Sequence, residues 1–137
     1  MITFNYVKEF RVSFPDNVKK WISQAINNEN YKQEDINYIF CNDDDLLEYN
    51  IKYLKHNTLT DIISFDDSIG KVIGGDIYIS VQRVEENAKL FEVSFEDELH
   101  RVMIHGILHF CGYNDKTESQ KKTMRKKEDY YLSLRDF

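Results

Sequence analysis

Hydrophobic and polar residues along this chain follow two periods, one typical of strands and one typical of helices. Alternating or continuous apolar runs predict four strands, at residues 2–11 with a break near Lys8, 36–41, 60–65 and 72–80. The third run is rich in β-branched residues, which favour strands. Apolar residues at helical spacing predict five helices between and after these strands. The pattern therefore indicates a protein that contains both helices and a sheet.

A helix start signal precedes each predicted helix. Proline suits a first helical position, and Asn, Ser and Thr side chains cap free backbone N–H groups. An acid or amide three residues after a capping Ser or Thr predicts a capping box, here Asp97 after Ser94 and Gln120 after Thr117. The five predicted starts are Pro15, Asn42, Ser80, Ser94 and Thr117, and the helices are expected to end near residues 28–30, 52, 90, 112 and 132.

Length and composition predict one domain over residues 1–137. A hydrophobic content of 42% and an aromatic content of 14% are enough to fill one core in a chain of 137 residues. The sequence contains no repeat, low-complexity tract or linker, and its one proline is Pro15. We therefore predict an α+β fold with a small mixed sheet of about four strands packed against helices.

Composition also predicts a cytoplasmic protein with no membrane partner. No apolar run approaches the ~20 residues that a membrane-spanning helix needs. Residues 1–6 alternate like a strand, whereas a secretory signal has a basic segment followed by an apolar one. Cys41 and Cys111 are too few for a disulfide framework, which agrees with a reducing compartment.

The charge is unevenly distributed. A net charge of −6 by itself argues against a nucleic-acid partner. Residues 116–127, however, hold six basic residues and one acid, a local charge of +5 that leaves −11 for the rest. This segment can follow a phosphate backbone, and a solvated helix face is the alternative that charge alone leaves open.

Two histidines and one aspartate have the spacing of a metal site. His105 and His109 lie four residues apart, about 40° around a helix, so both rings can reach one ion. Gly112 can adopt the left-handed conformation that ends a helix, which allows Asp115 to return as a third ligand. Three nitrogen and oxygen ligands with an open fourth position are typical of a catalytic zinc site. We therefore predict one Zn²⁺ at the end of a central helix.

Two other interpretations of these residues stay open. The first is that His105 and His109 are core histidines, since apolar residues surround them on the predicted helix. The second is a metalloprotease, because the spacing copies the long zincin signature. Gly106 occupies the position where those proteases keep their general-base glutamate, so a hydrolase built here needs another group, or the metal alone, to activate water.

Three stretches of the chain resemble the YbeY family of bacterial ribosomal-RNA maturation factors, which are metal-dependent, single-strand-specific endoribonucleases. Residues 105–113 read HGILHFCGY and are close to that family's H-G-x-L-H-x-x-G-Y-D-H. Residues 60–65 are similar to its T-(N/D)-(V/I)-(L/I)-S-F strand, and residues 75–79 to its G-D-I-x-I strand. The resemblance is firm over residues 53–115.

Two positions depart from the family pattern. The closing D-H is Asn114-Asp115 here, so the third metal ligand would be Asp115 instead of histidine. An anionic ligand lowers the charge of the site and makes its bound water less acidic. The family's arginine, which contacts substrate phosphate, falls at Leu54. The adjacent Lys55 and His56 are our candidates for that phosphate contact, together with Lys116.

The resemblance implies a zinc-dependent, single-strand-specific endoribonuclease that acts in small-subunit ribosomal RNA maturation and in ribosome quality control. Its expected partners are single-stranded or ribosomal RNA and components of small-subunit assembly. Besides the metalloprotease, the departure at Leu54 leaves a non-catalytic ribosome-assembly factor with a structural metal as an alternative.

Overall fold

A computed structural model describes residues 1–54 and 60–137 of the chain. Within these ranges it contains four strands and five α-helices, and a short π-helical segment, Asn50–Leu54, follows the second helix. In chain order the elements are β1 Ile2–Tyr6, α1 Pro15–Asn28, β2 Lys32–Cys41, α2 Asp43–Tyr49, β3 Ile62–Asp66, β4 Val72–Ser80, α3 Val81–Phe91, α4 Phe95–Phe110 and α5 Glu118–Ser133.

The four strands form one mixed sheet in the order β1-β2-β4-β3. β1 pairs with β2 and β2 with β4 in parallel, whereas β3 pairs with β4 antiparallel at the edge. Parallel neighbours need a crossover, and α1 provides the one between β1 and β2. The prediction of an α+β fold with a four-stranded mixed sheet is confirmed.

Helix α4 is the central helix of the core. Its residues Met103, Ile104 and Ile107 are fully buried. The Tyr38 hydroxyl on β2 donates to the Met103 carbonyl oxygen at 2.8 Å, which fixes α4 to the sheet. The Trp21 indole of α1 donates to the Tyr131 carbonyl oxygen of α5 at 2.7 Å. These bonds satisfy polar groups within the core and set the positions of the helices around α4.

Two glycines allow α4 to lie close to the sheet. A Cβ at Gly106 would stand 3.0 Å from the Ile77 side chain and 3.1 Å from that of Ile62. Gly75 in β4 has a φ of 145°, and a Cβ there would overlap the Phe65 carbonyl oxygen at 2.1 Å. These contacts require a residue without a side chain at 75 and a very small one at 106.

The observed elements differ from the predicted ones mainly at their ends. β1 stops at Tyr6 and does not reach residue 11, and β3 begins at Ile62 instead of residue 60. β2 begins at Lys32, four residues before the predicted start, because its polar first half pairs with β4 across an irregularity between Gln33 and Ile36. Strand pairing, a non-local interaction, extends the strand beyond its apolar part.

The predicted helix caps form, with two exceptions in detail. Asn42 and Thr117 each complete a capping box. Ser94 accepts from the Asp97 backbone N–H at 3.1 Å, but the Asp97 carboxylate binds Arg135 at 2.8 Å and does not complete a box. The helix after Asn42 also ends at Tyr49, and the π-helical segment takes its predicted last turn. Among the helices of the described ranges, none has the length and apolar character to cross a bilayer.

Candidate metal centre

A Schellman turn ends α4 and folds the chain back toward the helix. Gly112, with a φ of 96°, donates its N–H to the His109 carbonyl oxygen, and Tyr113 donates to that of Leu108, both at 3.0 Å. This 5→2 and 6→1 pair of bonds is the Schellman pattern, which requires a left-handed residue at the first position after the cap. The turn brings Asp115 to the face of α4 that carries the two histidines.

The donor atoms of His105, His109 and Asp115 converge on one point. The two Nε2 atoms lie 2.9 Å apart, and the Asp115 Oδ2 lies 3.3 Å from Nε2 of His105 and 3.4 Å from Nε2 of His109. The histidine side chains are 21% and 28% exposed, and that of Asp115 is 41% exposed. The group is therefore open to solvent on one side.

The other ring nitrogen of each histidine has a hydrogen-bond partner. His105 Nδ1 lies 2.6 Å from Oε2 of Glu128 on α5, and His109 Nδ1 lies 2.8 Å from the Tyr113 carbonyl oxygen. A carboxylate and a carbonyl only accept hydrogen bonds, so both Nδ1 atoms carry a proton, and in the neutral rings both Nε2 atoms present a lone pair. Partners of this kind orient histidines that bind metals.

These residues fit a zinc ion. Two nitrogen lone pairs and a carboxylate oxygen that face one another repel, and a cation between them removes the repulsion. Tetrahedral zinc with ligands at about 2.1 Å requires ligand atoms roughly 3.4 Å apart. The separations of 2.9 to 3.4 Å are close to that requirement. The nitrogen and oxygen donor set suits zinc and also other divalent transition metals.

The surroundings of His105 favour positive charge. Burial of the ring opposes protonation, but the hydrogen bond and charge of Glu128, together with the charges of Asp115 and Asp61, raise the pKa of His105 above its usual value. An environment that stabilises a proton on the ring also stabilises a metal cation beside it.

Glu29 at the end of α1 fixes the loop that carries Asp115. Its carboxylate accepts from the hydroxyl of Tyr113 at 2.7 Å, from the hydroxyl of Tyr131, and from Lys127 at 3.1 Å. Although burial opposes ionisation, these hydrogen bonds lower the pKa of Glu29. Because the Tyr113 carbonyl contacts Nδ1 of His109, Glu29 also supports the arrangement of the candidate metal ligands.

A cleft of about 300 Å³ lies beside the metal centre, on the side of His105. Burial and the charge of a neighbouring acid raise the pKa of Glu98, and burial raises that of Asp61. The cleft also contains two guanidinium groups, so it combines acidic and basic side chains. Its ionisable lining residues, besides His105, are Asp61, Glu98, Arg101, Asp115, Arg125 and Glu128.

The other predicted site residues are placed as follows. Lys55 and His56 lie outside the described residues. Leu54 ends the π-helical segment with a side chain 42% exposed, and Lys116 is exposed directly after Asp115. Neither His105 nor His109 is buried in the apolar core; among the histidines of the described residues, it is His100 that is buried, at 4% exposed.

Sequence reasoning missed Glu128, the partner of His105. Glu128 directly follows the basic segment of residues 116–127, and it attracts no notice there as an acid next to lysines. A signal was nevertheless present, because Met124, Glu128 and Tyr131 recur at helical spacing and form the buried face of α5. An acid at such a position needs a buried cationic or metal-bound partner.

Gly106 separates this centre from the zincin arrangement. The contacts of a Cβ at this position would be with Ile77 and Ile62 of the sheet. A side chain here would therefore point into the core and away from the Nε2 atoms. A glutamate at 106 would not reach a ligand of the metal, which argues against the metalloprotease interpretation.

Comparison with known proteins gives one consistent family. The YbeY family model, described as endoribonuclease YbeY, matches residues 4–135. A Flavobacterium psychrophilum protein named endoribonuclease YbeY is 54% identical over 98% of this chain and 96% of its own length. Its namesake from Flavobacterium johnsoniae is 52% identical over the same shares. A solution structure of a Thermotoga maritima protein superposes with a TM-score of 0.67 at 28% identity, covering 97% of this chain and 87% of that one.

Proposed function

Since this chain belongs to the YbeY family, we propose that it is a zinc-dependent endoribonuclease that cleaves single-stranded RNA. Residues 1–137 act as one domain in this proposal, with one Zn²⁺ bound by His105, His109 and Asp115. The observation that carries it is the convergence of two Nε2 lone pairs and one carboxylate oxygen within 3.4 Å, with both Nδ1 atoms engaged by acceptors.

Zinc would supply Lewis acidity to polarise a scissile phosphate and to make water a better nucleophile. The protein's own part is to hold the ligands in place. Glu128 and the Tyr113 carbonyl keep the proton on Nδ1 of each histidine, so that Nε2 is available without a competing tautomer. Asp115 contributes a negative charge, which lowers the net charge of the site compared with three histidines.

Phosphodiester cleavage also requires positive charge near the phosphate oxygens. Lys55, His56 and Lys116 are our candidates for this charge; of these, Lys116 lies within the described residues and directly follows Asp115. The exposed lysines at the start of α5 extend this positive charge away from the centre, where a single strand of RNA can follow it. The lysine at 127 is not available for this role, because it binds Glu29.

We place this activity in the maturation of small-subunit ribosomal RNA and in ribosome quality control, in the cytoplasm, with ribosomal RNA and small-subunit assembly components as partners. This follows from the family resemblance over residues 53–115. The alternative, a non-catalytic assembly factor with a structural metal, has specific support in the departure at Leu54.

The test combines metal analysis with RNA cleavage by protein purified free of other nucleases. We expect about one equivalent of zinc in the wild type, its loss in His109→Ala, and cleavage of single-stranded RNA only by the zinc-loaded wild type. Lys20→Ala, at an exposed position on α1, is the matched control and should behave as the wild type.

Three other outcomes have definite meanings. Zinc binding without RNA cleavage would support the assembly-factor alternative. Equal cleavage by the wild type and by His109→Ala would mean a contaminating nuclease. Digestion of casein by the zinc-loaded wild type would support the metalloprotease.

A further inference from the structure

Arg125 differs from the other arginines of the chain. The guanidinium of Arg11 donates to backbone carbonyls, that of Arg83 to Asp43, that of Arg101 to Glu128 and Asp129, and that of Arg135 to Asp97. Among the described residues, no atom accepts a hydrogen bond from Arg125. Its nearest acid is Glu128, at 3.9 Å between Nη1 and Oε1, which is beyond hydrogen-bond distance.

Glu128 is already occupied by other partners. Its Oε1 accepts from Arg101 at 3.0 Å, and its Oε2 binds Nδ1 of His105 at 2.6 Å. Both oxygens of the carboxylate beside Arg125 therefore already have a hydrogen-bond partner from another group. The Arg125 side chain is 59% exposed and lines the cleft next to the metal centre. A guanidinium in this position is restrained by charge but keeps its planar set of donors free.

The charges of the cleft show why a free cation matters there. Four carboxylates line it, those of Asp61, Glu98, Asp115 and Glu128, against the guanidinium groups of Arg101 and Arg125. The Arg101 side chain is 18% exposed, and its guanidinium is held by two carboxylates, whereas that of Arg125 is 59% exposed and is not held in this way. A phosphate that enters this acidic cleft would be repelled unless a metal ion and a free cation were both present.

We propose that Arg125 binds a phosphate of the RNA substrate in the cleft beside the metal centre. This inference rests on the proposed function and adds a residue that determines how the substrate is held. Guanidinium groups bind phosphate through two parallel N–H···O bonds, and such bidentate pairs need the unengaged donor set that Arg125 keeps. Arg125 is carried by α5, one helical turn before Glu128, so phosphate binding and the orientation of His105 depend on the same helix.

The experiment measures binding of a short, fluorescein-labelled, single-stranded 2′-O-methyl oligoribonucleotide to zinc-loaded protein, with the probe checked for intactness afterwards. Affinity is determined over a series of salt concentrations. We expect Arg125→Ala to weaken binding about tenfold at low salt and to reduce the slope of log affinity against log salt by about 0.7, the value for one phosphate contact on a single strand. Arg125→Lys should restore the slope but only part of the affinity, because it keeps the charge and loses the bidentate geometry.

Controls separate phosphate binding from a structural role. Lys20→Ala should match the wild type in affinity and slope. Zinc content and thermal stability of Arg125→Ala should also match the wild type, and a loss of zinc from this variant would overturn the proposal in favour of a structural role.

If the wild type cleaves RNA but Arg125→Ala has the same slope of log affinity against log salt, the Arg125 proposal alone is overturned. A zinc-loaded wild type that neither binds nor cleaves single-stranded RNA would overturn the proposed function and this inference with it.

Discussion

Glu128 on α5 holds the imidazole of His105 on α4 through a 2.6 Å contact between Oε2 and Nδ1. Glu128 is 5% exposed, and its other oxygen accepts a hydrogen bond from Arg101. Burial and this second hydrogen bond hold the carboxylate in position against His105. The two helices therefore share one interaction that keeps His105 in the tautomer a metal requires. The candidate metal centre therefore depends on the packing of α5 as well as on the local sequence of α4.

Replacing Glu128 by glutamine should weaken zinc binding about 10- to 100-fold, because the neutral amide holds the imidazole less firmly and makes it less basic. Affinity can be measured by competition with a chromophoric chelator. Asp129→Asn is the matched control, since Asp129 also binds Arg101, at 2.7 Å, but has no contact with His105. An unchanged zinc affinity in Glu128→Gln would show that the 2.6 Å contact does not contribute to the metal centre.

Asp115 allows a test of the third ligand. We expect Asp115→Ala to lose zinc affinity by at least about tenfold and Asp115→His to keep about one equivalent of zinc, because imidazole replaces the carboxylate as a donor. The neutral ligand raises the net charge of the site by one, which makes its bound water more acidic. RNA cleavage by Asp115→His should therefore begin at a lower pH than in the wild type.

The comparison between these two variants decides what Asp115 does. Zinc content and the pH profile of cleavage are measured on the same preparations. If Asp115→Ala bound zinc as tightly as the wild type, the carboxylate would not be a ligand, although it lies 3.3 Å from His105.

The parts of the centre that sequence could predict are those fixed by local geometry. His105 and His109 follow from the helical repeat, and the return of Asp115 follows from the conformation that Gly112 can adopt. Glu128, Asp61 and Arg125 were not predicted, because packing between α4, α5 and β3 brings them together across long stretches of sequence. The availability of Arg125 likewise depends on packing, since Arg101 lies 3.0 Å from the Glu128 carboxylate whereas Arg125 lies 3.9 Å from it.

The fold shows the same division. Strand β4 and the helices that start at Pro15, Ser80 and Thr117 carry strong local signals, and the structure has them close to the predicted positions. The polar first half of β2 was missed because its strand conformation comes from pairing with β4. The alternation of apolar residues does not reveal such pairing.

Gly75→Ala should destabilise the protein by roughly 3 kcal/mol or more, since a Cβ would overlap the Phe65 carbonyl oxygen and L-residues rarely adopt a φ of 145°. Asp66 of β3 is the register partner of Gly75 in β4. Strand β3 would therefore have to move away from β4. Gly70→Ala is the control: its φ of 59° costs only about 1 kcal/mol, and no atom lies within 4 Å of the added Cβ. Urea denaturation of both variants gives the comparison, and equal losses would contradict the steric argument.

We expect the burial of His100 to make the free energy of unfolding depend on pH. Its Nδ1 accepts from Arg135 at 2.7 Å, while its buried Nε2 has no hydrogen-bond partner in the described part of the chain. Burial and the charge of Arg135 lower the pKa of His100 from 6.5 to about 4. Between these two pH values the unfolded chain binds a proton that the folded protein does not, so stability is complete above pH 6.5 and falls as the pH decreases toward 4.

One pKa unit corresponds to about 1.4 kcal/mol of unfolding free energy. The ring borders a solvent-accessible cavity, which reduces the effect, so we expect His100 to lower the free energy of unfolding by about 2 kcal/mol over this range. Urea denaturation at several pH values measures it. His100→Gln keeps an acceptor for Arg135 but does not titrate, so its stability should fall less steeply between pH 6.5 and 4 than that of the wild type. Parallel pH dependence in the two proteins would show that His100 is not the group responsible, and that its ring gains a proton in the folded protein as readily as in the unfolded chain.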